Sequence, residues 1–169
     1  MIKIQEVKES TLKMEIADKI LRALPEWFGI ESSIVDYVNK SAALPFWAVF
    51  DNDVPIGFLA LWHHNPHHAE LYVMGILKEH HRSSIGRGLF NTFQNYCLNN
   101  GYKYISVKTL DHSNSDKNYS RTRKFYEAMG FQPFEVLKTL WDESNPCLIM
   151  IKDLQHAANS YKCRSNNNG

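Results

Sequence analysis

Apolar and polar residues alternate from Ile2 to Val7, which predicts a first strand. The period then lengthens. Leu12, Ile16, Ile20 and Leu24 recur at helical spacing and predict an amphipathic helix from about Ser10 to Leu24, with Ser10 as its N-cap and Pro25 as its limit. An aromatic loop follows, Pro25-Glu26-Trp27-Phe28-Gly29-Ile30, and a second helix is expected from about Ser32 to Lys40. Phe46 to Phe50 and Ile56 to Trp62 read as strands joined by a hairpin turn at Asp51-Asn52-Asp53. His63 to His68, with Asn65-Pro66 inside, reads as a further polar turn before a fourth strand, Glu70 to Leu77.

Ile85, Leu89, Phe93 and Cys97 stand four apart and predict a helix over Ser84 to Asn99, closed by Gly101 as C′ residue. Tyr104 to Leu110 is β-rich, Asp111 to Asn118 is a polar loop, and Ser120 to Met129 is a short helix capped by Ser120 and ended by Gly130. Phe134 to Leu140 and Cys147 to Ile151 form a last hairpin. The order β-α-α-β-β-β-α-β-α-β-β mixes hairpins with a strand–helix–strand crossover. It predicts an α/β (α+β) fold with a mixed, mostly antiparallel sheet and helices on both faces. From residue 155 the chain turns polar. Residues 1–154 are therefore expected to form a single domain, and 155–169 a disordered tail.

The chain has 169 residues, 44% hydrophobic and 22% charged, enough for one core. A formal net charge of +1 argues against bulk electrostatic binding to nucleic acid. No apolar run approaches the roughly 18–20 residues that span a bilayer, and the N-terminal segment lacks a signal-peptide apolar region. Cys97, Cys147 and Cys163 are odd in number and widely spaced, which suits free thiols in a reducing compartment. The expected location is cytoplasmic, with no nucleic-acid or membrane partner.

The chemistry concentrates in His80-His81-Arg82-Ser83-Ser84-Ile85-Gly86-Arg87-Gly88-Leu89, between a strand and a helix. Backbone N–H groups converge at such a junction, the helix dipole adds partial positive charge, and Arg82 and Arg87 add full charges. A phosphate or pyrophosphate is the natural ligand.

Two segments carry a family resemblance. His81-Arg82-Ser83-Ser84-Ile85-Gly86, within Ile76 to Leu89, resembles the acetyl-CoA pyrophosphate loop of the GNAT N-acetyltransferase superfamily, usually Gln/Arg-x-x-Gly-x-Gly/Ala. Thr122 to Phe131 resembles that family's helix and turn ending in Tyr-x-x-x-Gly-Phe. The element order agrees over roughly Ile2 to Leu154. His81 stands where Gln or Arg is usual, and Ser84 where the first glycine is usual. Ser84 offers a hydroxyl donor in compensation.

The resemblance implies a central strand pair that splays, with acetyl-CoA in the cleft as acyl donor. It implies direct transfer of acetyl to a primary amine, with no metal required. Backbone and side chains of His81, Arg82, Ser83, Ser84, Ile85, Gly86, Arg87 and Gly88 would hold the pyrophosphate. Ile76 and Leu77 would lie beside the pantetheine, with an N–H near Ile76 as oxyanion donor, and Asn118 would contact the cofactor. Tyr126 would be the general acid, since a phenol with an ordinary pKa of about 10 is protonated at neutral pH. Its plain alternative is a packed aromatic between Phe125 and Phe131. Glu70, expected beside Trp62 and Tyr72, would be the general base, or else a strand-end glutamate facing water. His112 is a second candidate base. Trp27, Tyr72 and Trp141, with Phe28, Asp142 and Glu143 nearby, would line the acceptor pocket; aromatics and carboxylates suit a cationic amine. The acceptor itself stays open, and a homodimer is admitted as an assembly.

Two rival readings stand beside this one. A non-catalytic CoA-binding regulatory module would share the fold. A metal-binding protein would use His63, His64, His67 and His68, although only Glu70 lies at ligand spacing from them. An exposed polar turn is the plainer account of these histidines.

Overall fold

A computed structural model describes residues 1–155; the expected tail after its first residue, Cys163 included, lies outside the described residues. The elements follow the predicted order: β1 (Ile2–Glu6), α1 (Ser10–Arg22), α2 (Glu31–Ser41), β2 (Phe46–Asp51), β3 (Val54–Asn65), β4 (His68–Ile76), α3 (Ile85–Asn99), β5 (Tyr104–Leu110), α4 (Lys117–Ala128), β6 (Gln132–Asp142) and β7 (Asn145–Asp153). A single 3₁₀ turn, Lys78–His80, precedes α3. The sheet is mixed α/β in context and mostly antiparallel, with strand order β1-β2-β3-β4-β5-β7-β6. Two compact units divide the chain, 1–62 with 71–95 and 63–70 with 96–155.

In the first unit, β1 pairs with β2 and β2 with β3, all antiparallel. Alternation along β2 sorts its side chains. Phe46 and Ala48 join Phe58, Ala60 and Val73 under α1 and α2, meeting Ile16, Ile20, Leu21, Leu24, Ile34 and Val38. Phe46 and Phe58 stack with centroids 5.0 Å apart. Trp47 faces the other way, edge-on to Phe93 of α3. Full burial of each such side chain stabilises the unit by about 1.5–3 kcal/mol. Gly75 of β4 makes this packing possible: a Cβ there would lie 2.8 Å from Ile20 Cγ2 and 3.2 Å from Leu24 Cδ1.

In the second unit, β7 lies antiparallel between β5 and β6, with Val107 opposite Met150 and Val136 opposite Leu148. Arg123 of α4 is buried and donates from Nη1 to the Leu110 carbonyl at 2.7 Å. The tip of the β3–β4 hairpin belongs here: the N–H groups of Lys103 and Tyr104 both bond the His67 carbonyl.

Several local expectations need correction. Glu9, not Ser10, caps α1: its carboxylate accepts the N–H bonds of Thr11 and Leu12, while the Ser10 hydroxyl donates to the Ala42 carbonyl. Asp116, not Ser120, caps α4, accepting from the N–H groups of Asn118 and Tyr119. In both cases an acidic side chain just upstream reaches the orphan donors first, as helix ends favour. The expected turn over His63–His68 is shorter. β3 continues through Asn65, β4 begins at His68, and the Asn65 side chain closes the turn by accepting from the N–H groups of His67 and His68.

His68 is half-buried, and Nε2 lies 2.6 Å from Ser106 Oγ of β5. Burial above all, then the neighbouring His64, with Lys108 adding and Glu70 opposing, holds its imidazole below the ordinary histidine value. The unfolded chain therefore binds this proton first as pH falls, so the contribution is intact above about pH 6.5 and declines below it. Thermal melts should lose stability from pH 7.5 to 5, and less so in His68→Asn; identical slopes in the two proteins would refute this. Gly75→Ala should destabilise by about 1–3 kcal/mol in urea unfolding, as overpacking does.

Candidate active site

The loop after β4 is built by short-range bonds. Ser83 Oγ donates to the His80 carbonyl at 2.6 Å, and Arg82 occupies the left-handed region at φ 60°. A left-handed residue beside ordinary ones turns successive N–H groups to one side, the geometry of an anion-binding nest. The first N–H groups of a helix lack intrahelical acceptors; those of Gly86 and Arg87, opening α3, have no partner among the described residues. Arg82, Ser83, Ser84 and Arg87 are exposed, and Ile85, Gly86 and Gly88 half-buried.

His81 does something its place in the motif did not announce. Its Nε2 donates to the Ile76 carbonyl at 2.7 Å, and its ring meets Trp27 edge-on at 5.6 Å. Lys78 pairs with Glu26 of the aromatic loop. The Leu77 N–H donates to the Ile56 carbonyl. Three backbone groups of this stretch, the Ile76 carbonyl and both the N–H and the carbonyl of Leu77, which accepts from the His80 N–H, are thus already bonded within the protein. Trp27 is tied to the loop. Phe28, Tyr37, Tyr72 and Trp62 form a separate run of ring contacts, with Lys40 Nζ 5.9 Å over Trp62.

Glu70 is buried, 5% exposed, in the second unit. Its expected neighbours Trp62 and Tyr72 instead pack on each other in the first unit. The Glu70 partners are Lys108 Nζ at 2.6 Å and His64 Nε2 at 2.9 Å, both on Oε1. His64 stacks on His68, centroids 4.5 Å apart and planes 13° off parallel. The position of Glu70 at the start of a strand gives no sign of Lys108. The available clue was polar Ser106 and Lys108 alternating with Ile105 and Val107 on β5. His64 was hidden by its assignment to the turn.

Tyr126 is buried, its ring edge-on to Phe125 and Phe131. The N–H of Phe131 bonds the Tyr126 carbonyl and that of Gly130 the Glu127 carbonyl, with Gly130 at φ 94°. This is a Schellman ending with its accompanying apolar contact, so Tyr-x-x-x-Gly-Phe is also a helix stop. Lys152 donates to the Met129 carbonyl. Asn118 sits in the first turn of α4, its side-chain amide without a partner among the described residues. His112 is an exposed loop residue 3.8 Å from Asp111.

Trp141 is exposed on β6. Asp142 is consumed by its own hairpin, Oδ1 accepting from the N–H groups of Ser144 and Asn145 and both oxygens from the Asn145 side chain. Glu143 borders a shallow polar recess with Ser113, Asn114, Ser115, Ser144 and Pro146. His63 Nδ1 is 2.7 Å from the Tyr102 hydroxyl. Among the described residues no three His, Cys, Asp or Glu side chains converge as a metal needs, and no helix is long and apolar enough to cross a membrane. Cys97 and Cys147 are buried free thiols, pushed up to about 12 and about 11 by burial.

A sequence search of curated proteins returns no match. Solved structures do share the fold. A protein described as a GNAT-family acetyltransferase from Desulfovibrio desulfuricans superposes with TM-score 0.76 at 15% identity, over 91% of this chain and 99% of that one. The ribosomal-protein-S18-alanine N-acetyltransferase from Escherichia coli gives 0.73 at 14%, over 91% and 94%. An aminoglycoside 6′-N-acetyltransferase complexed with coenzyme A gives 0.70 at 20%, over 91% and 97%. The sequence profile of the acetyltransferase (GNAT) family matches residues 13–131. With 119 of 169 residues matched, and the fold and loop agreeing with it, the chain belongs to the acetyltransferase (GNAT) family.

Proposed function

We propose that this protein transfers an acetyl group from acetyl-CoA to a primary amine by direct attack, with residues 1–154 acting as one domain. The observation that carries the reading is the start of α3: N–H groups of Gly86 and Arg87 with no partner among the described residues, behind the left-handed Arg82, with two guanidinium groups alongside. That arrangement suits a diphosphate. His81, Ser83, Ser84 and Gly88 shape the same loop. Ile76 and Leu77 are assigned to the pantetheine, and Asn118 to a further contact with the cofactor.

Three demands remain once the thioester is held. The amine must lose a proton, the oxyanion needs a donor, and the sulfur must leave protonated. Glu70 supplies the negative charge of the base, buried and hydrogen-bonded to His64 and Lys108. An N–H near Ile76 serves the oxyanion. Tyr126, fixed by the Schellman turn, donates the proton to the departing thiolate. Trp27, Tyr72 and Trp141 are assigned to the acceptor. Family relatives act on an aminoglycoside and on the alanine of ribosomal protein S18, so the acceptor classes to test are amino sugars and peptide N-termini, with spermidine as a small polyamine.

Isothermal titration should show acetyl-CoA binding that Gly86→Trp abolishes or weakens; absence of binding to the unaltered protein would sink the reading. Thiol release should be measured with kanamycin, an Ala-initiated peptide and spermidine as acceptors. Tyr126→Phe should lower kcat by about 100-fold with little change in acetyl-CoA affinity. An unchanged rate removes Tyr126 from the mechanism, and binding without release for any amine favours a CoA-sensing module.

A further inference from the structure

We propose that the atom accepting the proton from the amine is Nδ1 of His64, and that Glu70 is the positioning residue behind it. The inference rests on the acetyltransferase reading and deepens it.

The first argument is access. The Glu70 side chain is 6% exposed, and its Oε1 already accepts two bonds, from Lys108 and His64. Lys108 Nζ, as an ammonium, has protons to give and no lone pair to take one. His64 and Lys108 both reach outward, their side chains 34% and 33% exposed, and of the two only the imidazole offers a lone pair.

The second argument is the tautomer. A carboxylate oxygen only accepts, so the nitrogen 2.9 Å away must carry the hydrogen. That nitrogen is Nε2. In the neutral ring Nδ1 is then the lone-pair atom, and it has no partner among the described residues. A buried carboxylate that fixes the imidazole tautomer, orients the ring and stabilises the imidazolium is the standard support for a histidine base.

The third argument is rigidity. His68 lies parallel to His64 at 4.5 Å and is itself anchored by Ser106. Burial and the neighbouring His64 hold the His68 ring below the ordinary histidine value, so it stays neutral near pH 7 and the stack does not set two cations face to face. The groups around His64 are Glu70 and His68 from β4 and Lys108 and Ser106 from β5, with Cys147 of β7 close enough to feel Glu70 and Lys108. His63, the next residue on β3, is engaged by Tyr102.

The proton balance is simple. The N–H bond of the ammonium acceptor breaks, its proton forms a bond to Nδ1, and the electron pair stays on the amine nitrogen for attack. Nε2–H remains bonded to Glu70 throughout. The imidazolium then returns the proton to water.

Turnover is measured with acetyl-CoA and whichever of kanamycin, the Ala-initiated peptide or spermidine the wild type acetylates. His64→Gln keeps a donor for Glu70 but offers no basic lone pair. It should lower kcat by about 100-fold, with acetyl-CoA affinity and Tm unchanged. His64→Ala should lose activity similarly and regain it with added imidazole, which a packing role would not permit. Ring ¹⁵N spectra of the wild type should show the Nε2–H tautomer. Wild-type rates in His64→Gln, loss in His64→Ala that imidazole fails to restore, or an Nδ1–H tautomer would each overturn the proposal and leave the acetyltransferase reading standing. A wild type that neither binds acetyl-CoA nor acetylates any of the three amines would overturn both.

Discussion

A carboxylate placed inside a sheet constrains everything around it. Glu70 is almost wholly removed from water, and an unpaired charge there would cost several kcal/mol. Lys108 answers that charge from β5, and His64 from the preceding strand. These bonds require the β3–β4 hairpin tip to lie in one register against β5. The His67 carbonyl, accepting from Lys103 and Tyr104, and the His68–Ser106 bond hold that register. A slip of one residue against β5 would take Glu70 away from Lys108 and leave both charges without each other. Removing Lys108 or His64 therefore does more than delete a contact, because it leaves the buried anion under-compensated.

The same economy governs Tyr126. Its place two residues before the end of α4 is the position whose carbonyl receives the Schellman bond, and whose side chain meets the residue after the glycine. Phe131 thus both finishes the helix and fixes the phenol. A single local motif stops a helix, orients an aromatic ring and begins β6. This explains why a short signature in the sequence can be informative over so many residues: its tyrosine, glycine and phenylalanine each answer a demand of the helix ending itself.

Periodicity made most elements legible in the sequence, because strands and helices here are long enough to repeat their pattern. The β5 strand, Tyr104–Leu110, agrees to the residue. The caps did not yield as easily. Glu9 displaced the expected Ser10 because either of two adjacent polar residues could reach the same free N–H groups, whereas Asp116 stands in place of Ser120 because α4 opens at Lys117, with Ser120 already inside its first turn. The histidine tract departs from its expected turn for a different reason. Turn-forming Asn65-Pro66 dominated its appearance, while the partners that draw His64 and His68 into strands, Glu70 and Ser106, act through pairing that no local window displays. Loop residues near α3 were recognisable by type. That His81 bonds backbone rather than projecting outward depended on the Ile76 carbonyl lying within reach.

That bond of His81 bears on thermodynamics. A phosphate loop is ordinarily ordered in part by its guest, which then forfeits affinity to the loss of chain entropy. Here the imidazole, the Ser83 hydroxyl and the Lys78–Glu26 pair tie the segment down from within. Under the proposed function, little disorder is left for an arriving diphosphate to remove. Association is then governed by encounter and desolvation rather than by rearrangement, and the binding entropy should resemble that of a preformed receptor.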